Sequence, residues 1–280
     1  MMTEDTQNEN AMLIALDGSR PSQVAAALAV QIARQACWSV RGLFVVDERL
    51  VVEPDANLEK ELGYHPGNVL TSDERADLLR KKGDAALHWL EEQCQTEHVA
   101  VDANLMFGGL PDLILNQAQQ ARLLALGRHG YAHPHNLGHH FRAITHAMPT
   151  SLLIGGEEMR PIQRLLLACE DRLSDEMLAW AGRFQRLWQA QLWVLIEAEN
   201  ETASQNIEAQ IAASRLPNVE FIRRSEDTAV AILTTSRARN IDLILMGNQR
   251  NNALHDWLSG SSLNEVLRNS PLPLFVMDTA

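Results

Sequence analysis

Residues 12–19, MLIALDGS, are an apolar run that ends at an acidic residue and a glycine turn. Behind this turn, apolar residues recur three or four positions apart, at Val24, Ala25, Leu28, Ala29, Ile32 and Ala33. An uninterrupted apolar run is typical of a strand buried on both faces, and the spacing behind it is that of an amphipathic helix. The stretch therefore predicts a buried strand, a turn and a helix.

Two more apolar runs have the same character. Residues 43–46 end at Asp47, residues 123–126 end at Gly127, and helical spacing separates the runs. Strands that are apolar on both faces and alternate with helices form parallel sheets that helices cover. The sequence therefore predicts the α/β class, with a doubly wound parallel sheet.

The pattern starts again after Pro161. Residues 165–168 match the first strand, and residues 192–196 match the second. Near the end of each copy, DLILMG at 242–247 parallels RLLALG at 122–127, and PLPLFV at 271–276 parallels MPTSLLI at 148–154. An internal repeat of this length predicts two copies of one domain, over residues 1–158 and 159–280.

The two copies differ most after the second strand. Residues 47–71 are polar and contain Pro54, Gly63, Pro66 and Gly67, which predicts a long loop before a helix near residues 72–94. We expect the second copy to lack most of this insertion, at about residues 48–95, and to be the smaller domain.

Composition disfavours some classes of partner and indicates the cellular compartment. The chain of 280 residues carries 24 Lys and Arg against 36 Asp and Glu, a net charge of −12, which disfavours nucleic acid. Its apolar runs fall far short of the roughly 20 residues that cross a bilayer, so we expect no membrane partner. The polar, acidic start is unlike a secretory signal, and three cysteines without a CxxC pair indicate reduced thiols. The sequence predicts a cytoplasmic protein.

Each copy has a glycine loop after its third apolar run. The first copy has GRHG at 127–130, and the second has GNQR at 247–250 followed by Gly260 and Ser261. A strand that ends in a glycine turn and opens a helix offers backbone N–H groups and the helix dipole to an anion. The alternative is that these glycines only make the turn from strand to helix.

With these loops the chain resembles the universal stress protein family in its tandem form. The family signature is a glycine, two residues, a second glycine, nine residues, and a glycine followed by Ser or Thr. The second copy keeps Gly247, Gly260 and Ser261 at this spacing, while Arg250 replaces the second glycine. The first copy keeps Gly127 and Gly130, but histidines stand where the hydroxyl is expected.

The resemblance implies a fold, a ligand and the residues that hold it. The fold is a pair of Rossmann-like domains similar to the adenine nucleotide alpha hydrolases, and the candidate ligand is ATP. In nucleotide-binding members an acid and a valine hold the adenosine end, which corresponds here to Asp17 and Val45. The glycine loop holds the phosphates, which corresponds to Gly127 and Gly130. The second copy implies a weaker site, at Gly247, Gly260 and Ser261.

The resemblance also implies a role and an assembly. The expected role is a stress-response binding or regulatory module rather than a metabolic enzyme. Strands at Ser151–Ile154 and at 274–277 are expected at sheet edges, which in the family pair between domains. This implies pairing of the two domains within the chain, and two such chains can form a homodimer.

Two other functions stay open. The first is a slow nucleotide hydrolase or transferase, for which Asp17 is the one candidate base; the chain has neither a phosphate loop with Gly-Lys nor a GxSxG elbow. The second is binding of another small molecule or of a metal. Imidazoles in a cluster suit zinc, nickel or copper, and six lie close together: His129, His133, His135, His139, His140 and His146. A solvated surface loop is the interpretation we favour for that cluster, and we assign it no metal.

Overall fold

A computed structural model describes residues 10–53, 70–129, 139–170, 173–197, 201–224, 227–248 and 262–278. The chain divides into two compact units, Met1–Gly156 and Glu157–Ala280, which we call unit 1 and unit 2. Each unit alternates strands with helices along its sequence.

Unit 1 contains a five-stranded parallel sheet in the order β3-β2-β1-β4-β5. Its elements are β1 (Ala11–Leu16), α1 (Arg20–Ala36), β2 (Ser39–Asp47), α2 (Glu48–Val52), α3 (Ser72–Thr96), β3 (Val101–Gly108), α4 (Leu110–Ala118), β4 (Leu123–Leu126), α5 (His139–Ala147) and β5 (Ser151–Ile154). The predicted α/β class and parallel sheet are confirmed.

Burial in unit 1 follows the position of each strand. Every residue of β1 and β4 is buried, because both lie inside the sheet and helices cover them. The helix α1 packs on β1, β4 and β5, while α3 packs on β2 and β3. The strand β3 ends the order, and its side chains alternate between half-buried and exposed over most of its length. The uninterrupted apolar runs in the sequence are thus the inner strands.

Local signals set the ends of α1. Ser19 caps the first turn through its hydroxyl oxygen, which accepts from the Ser22 N–H, and a proline occupies that turn. At the other end Cys37 takes a left-handed conformation, with φ of 54°, and its N–H donates to the carbonyls of Ala33 and Arg34. The helix therefore begins directly after the turn that follows β1.

Unit 2 has the same connectivity, with its parallel strands in the order β10-β9-β6-β7-β8. Its elements are β6 (Arg164–Cys169), α6 (Asp175–Trp188), β7 (Gln191–Ile196), α7 (Glu201–Ser214), β8 (Val219–Arg223), α8 (Thr228–Ala238), β9 (Leu243–Asn248), α9 (Ser262–Asn269) and β10 (Leu274–Asp278). Strand for strand, this order repeats that of unit 1.

Aromatic side chains fill the core of unit 2 between α6 and β10. Phe184 and Phe275 are completely buried and meet edge to face, with ring centroids 4.8 Å apart. Trp180 lies 4.7 Å from Phe275 between ring centroids and is almost fully buried. Such contacts are worth more than the buried area alone, so α6 is held firmly against the sheet.

The second copy has its own, shorter helix between its second and third strands, β7 and β8. Unit 2 carries α7, of 14 residues, where unit 1 carries α3, of 25 residues. Neighbouring parallel strands need a crossover connection, and β7 and β8 are such neighbours. In unit 1 the short helix α2 also begins directly after β2, where a loop was predicted.

Candidate functional site

The order of the strands locates a crevice at one end of unit 1. From β1 the chain proceeds outward to β2 and β3, and it then returns to the other side of β1 to form β4 and β5. The carboxyl ends of β1 and β4 therefore lie at the point where the strand order reverses. Open α/β sheets bind their ligands at this point.

The turn after β1 is held in place by its own hydrogen bonds. One carboxylate oxygen of Asp17 accepts from the Ser19 N–H at 2.8 Å. Gly18 has φ of +80°, a left-handed conformation that glycine adopts without strain. The Ser22 hydroxyl donates to the Ser19 carbonyl at 2.9 Å. The half-buried carboxylate of Asp17 is thereby fixed at the end of the strand.

The glycine at the end of β4 lies directly against this turn. A Cβ atom built on Gly127 would be 2.9 Å from the Ser22 backbone nitrogen and 3.3 Å from Ser19 Oγ. The backbone after β4 therefore approaches the first turn of α1 more closely than any side chain allows. Two residues predicted from the sequence, Asp17 and Gly127, thus lie beside the same turn. The same contact also explains the glycine by packing alone.

Val45 lies at the same edge of the sheet. Leu16, the last residue of β1, is paired in register with Phe44, so Val45 of β2 is one residue beyond this pair, as is Asp17, which follows β1. Val45 is 8% exposed. The fourth predicted residue of this site, Gly130, lies outside the described residues.

Two basic side chains near the crevice were missed by the sequence reasoning. Lys82, on α3, crosses Gly18: a Cβ there would be 2.8 Å from Lys82 Cε. Arg128, 4% exposed, donates from Nε to the Gly155 carbonyl at 3.0 Å. Both contacts join segments that are distant in sequence. Lys82 belongs to no motif, and Arg128 occupies a variable position of the GRHG loop, so no local signal assigns either residue a role.

The equivalent place in unit 2 differs in detail. The reversal lies between β6 and β9, where Ala168 is paired with Met246. Gly247 was predicted in a turn after the strand, but it lies inside β9, paired with Met277 of β10, because the ladder continues to Asn248. Gly260 and Ser261 lie outside the described residues, and Glu170, the counterpart of Asp17, is exposed.

The described residues show neither a metal site nor a helix that could span a membrane. Among the residues that the structure describes, no group of three His, Cys, Asp or Glu side chains is arranged to hold a metal. His133 and His135 lie outside those residues. In the same described part of the chain, no helix combines the length and the apolar character needed to span a membrane.

The three thiols differ in environment. Cys37 is exposed, while Cys94 and Cys169 are buried. Burial raises the pKa of Cys94 to about 11, and the nearby Glu91 carboxylate contributes to the increase. Complete burial also raises the pKa of Cys169. The two buried cysteines are core residues rather than candidate nucleophiles.

Comparisons of structure extend over the whole chain. A universal stress protein from Archaeoglobus fulgidus DSM 4304 is similar with a TM-score of 0.71 and 18% identity, over 97% of both chains. A protein of unknown function from Pseudomonas aeruginosa PAO1 has a TM-score of 0.64 and 16% identity, over 98% of this chain and 94% of that one.

A similar fold also occurs in a protein of a different kind. The cytoplasmic domain of a prokaryotic cation chloride cotransporter is similar with a TM-score of 0.55 and 14% identity, over 96% of this chain and 95% of that one. At such identities the similarity concerns the fold, and a fold alone does not determine function.

Comparisons of sequence single out unit 2. No relative was found among curated protein sequences. The model of the universal stress protein family matches residues 179–277, from within α6 to within β10. The chain therefore carries a domain of the universal stress protein family over residues 179–277, and its fold as a whole is that of a universal stress protein.

Proposed function

We propose that unit 1 binds an adenine nucleotide at the carboxyl ends of β1 and β4, and that the protein is a tandem stress-response binding module without turnover. One observation carries the proposal. The Gly127 backbone lies against the first turn of α1, beside the turn that fixes Asp17. A carboxylate and a helix N-terminus thus face one crevice.

The crevice has groups that suit the adenosine end of a nucleotide and groups that suit its phosphates. The Asp17 carboxylate accepts hydrogen bonds from hydroxyl or amino groups, and the resemblance assigns it, with Val45, to the adenosine end. The N-terminus of α1, a helix of 17 residues, favours negative charge through its dipole. The resemblance assigns the loop that starts at Gly127 to the phosphates.

Unit 2 is the poorer candidate. An arginine, Arg250, stands where the signature has its second glycine, and a side chain there takes the room that a phosphate needs. The exposed Glu170 is longer than the aspartate that it replaces. We therefore propose two domains, 1–158 and 159–280, of which the first binds nucleotide.

A thermal shift assay with a parallel assay of turnover tests the proposal on the full chain. ATP with Mg²⁺ is expected to raise the melting temperature without release of phosphate. Asp17→Asn, which keeps the size of the side chain but removes its charge, is expected to weaken the shift strongly. The control is Asp112→Asn in the first turn of α4, which follows β3 rather than β1 or β4 and where the carboxylate is exposed.

The possible results separate the functions. Binding in unit 1 is supported if ATP raises the melting temperature of the wild type and of Asp112→Asn but not that of Asp17→Asn. Steady release of phosphate by the wild type would support a hydrolase instead. The absence of both a shift and turnover would mean that unit 1 does not bind ATP, and the proposal would be wrong.

A further inference from the structure

Lys82 reaches the proposed nucleotide site from outside the glycine loop. A Cβ atom at Gly18 would lie 2.8 Å from Lys82 Cε and 3.8 Å from Lys82 Nζ. Gly18 stands between Asp17, at the proposed adenosine end, and Ser19, whose hydroxyl oxygen borders Gly127. The Lys82 side chain therefore lies beside Gly18, the residue that joins the proposed adenosine end to the proposed phosphate end.

The site needs such a positive charge. The chain has a net charge of −12, and Asp17 adds a carboxylate at the crevice itself, and both of these charges disfavour a bound phosphate. The first turn of α1 already uses part of its donors, because the N–H groups of Ser22 and Gln23 donate to Ser19. The glycine loop of this copy also has histidines where the signature has a hydroxyl.

We infer that Lys82 binds the phosphate nearest the ribose of the nucleotide in unit 1, an inference that rests on the proposed function. The lysine ammonium offers three donors on a flexible four-carbon stem, which suits a phosphate oxygen beside the turn. Lys82 is thus the residue that distinguishes a nucleotide from its nucleoside.

The test compares adenosine with AMP, which differ by this one phosphate. Calorimetry on the full chain measures both affinities for the wild type, Lys82→Gln and Lys81→Gln. Lys81 precedes Lys82 on α3 and is exposed, so its substitution makes the same change of charge away from the crevice. Lys82→Gln is expected to weaken the binding of AMP about tenfold or more, because a hydrogen bond from a charged donor is lost. Its affinity for adenosine, and both affinities of Lys81→Gln, are expected to stay within about twofold of wild type.

The inference and the proposed function fail in different ways. If the wild type binds neither ligand, the proposed function is wrong. Lys82 does not recognise phosphate if the wild type binds both ligands equally. The same conclusion follows if Lys82→Gln weakens the binding of adenosine as much as the binding of AMP. If Lys82→Gln does not fold, Lys82→Arg is measured in its place. We expect this variant to retain the preference for AMP over adenosine. Loss of that preference with the positive charge retained would then overturn the inference.

Discussion

At the scale of single residues, Gly155 is the described glycine at which an added methyl group would overlap its surroundings most. A Cβ there would overlap the carbonyl oxygen of Pro21 and lie 2.7 Å from its carbonyl carbon, in the first turn of α1. Gly155 is also buried, its N–H donates to the Leu126 carbonyl at 2.9 Å, and its carbonyl accepts from Arg128. Because these contacts prevent its backbone from retreating, Gly155→Ala is expected to destabilise the protein by at least about 2 kcal/mol.

Chemical denaturation measures this effect, and Gly109→Ala is its control. Gly109 precedes α4 with φ of −68°, and a Cβ there would meet only Asp112 Oδ2, at 3.5 Å. Gly109→Ala is therefore expected to change stability by less than about 0.5 kcal/mol. Equal effects of the two substitutions would contradict the close packing of Gly155 on α1.

The three thiols make a second prediction at this scale. At pH 8 a thiol reagent is expected to modify Cys37 rapidly, because this side chain is exposed. Cys94, with its pKa raised to about 11, has about one thiolate per thousand molecules at that pH, and burial also blocks access. The raised pKa of the buried Cys169 has the same consequence. The absorbance of the released reagent should show one fast thiol in the native chain, which Cys37→Ser removes, and the other two only after denaturation.

The sequence predicts some residues of the site and misses others for a physical reason. Asp17 and Gly127 follow apolar runs, Val45 lies near the end of one, and the carboxyl ends of parallel strands share one edge of the sheet. Their proximity could therefore be predicted once the runs were identified as parallel strands. Lys82 meets Gly18 only because α3 packs across the sheet, and the helical pattern of α3 does not determine where that long side chain ends.

At the scale of elements, the short helix α2 depends on a side chain from α3. The Arg75 guanidinium donates to the carbonyls of Val51, Val52 and Leu70, at 2.9, 3.2 and 2.6 Å, and Arg75 is 3% exposed. A helix of five residues is not stable alone, and its last carbonyls need partners from elsewhere. Arg75→Gln is therefore expected to destabilise the protein by about 2 kcal/mol or more and to unfold α2 locally.

Hydrogen exchange of residues 48–53 reports on this helix directly. Arg80→Gln is the matched control, since Arg80 lies on the same helix but is exposed and stacks on Phe107, 5.3 Å from its ring centroid. Faster exchange is expected for Arg75→Gln and wild-type exchange for Arg80→Gln. Unchanged exchange in the Arg75 variant would show that α2 is held by other contacts.

Elements with strong periodicity could be predicted from the sequence, and weakly patterned ones could not. The apolar runs identified the inner strands β1 and β4, which are buried on both faces. The helix α7 was missed because only Ser204, Ile207 and Ile211 of its residues are buried, which leaves little apolar pattern. The helix α2 was missed because none of its residues is buried.

At the scale of the whole molecule, the repeat in the sequence corresponds to two units with one strand order, yet their edges offer different chemistry. The family model matches only residues 179–277, although unit 1 retains more of the residues that the resemblance assigns to a nucleotide. The half that the family model matches is thus not the half that we propose to bind a nucleotide. This follows because strand and helix patterns preserve a fold while a few side chains determine a site.

The number of nucleotides per chain is the last prediction. Asp17 is held by the Ser19 N–H beside Gly127, whereas in unit 2 the counterpart Glu170 is exposed and Gly247 belongs to the β9 ladder. We therefore expect native mass spectrometry of the full chain with rising ATP to show one added nucleotide per chain. Asp17→Asn is expected to remove it, while Glu170→Gln, the same change in unit 2, is expected to leave it. Two nucleotides per chain, or a loss caused by Glu170→Gln, would place binding in unit 2 and contradict the assignment.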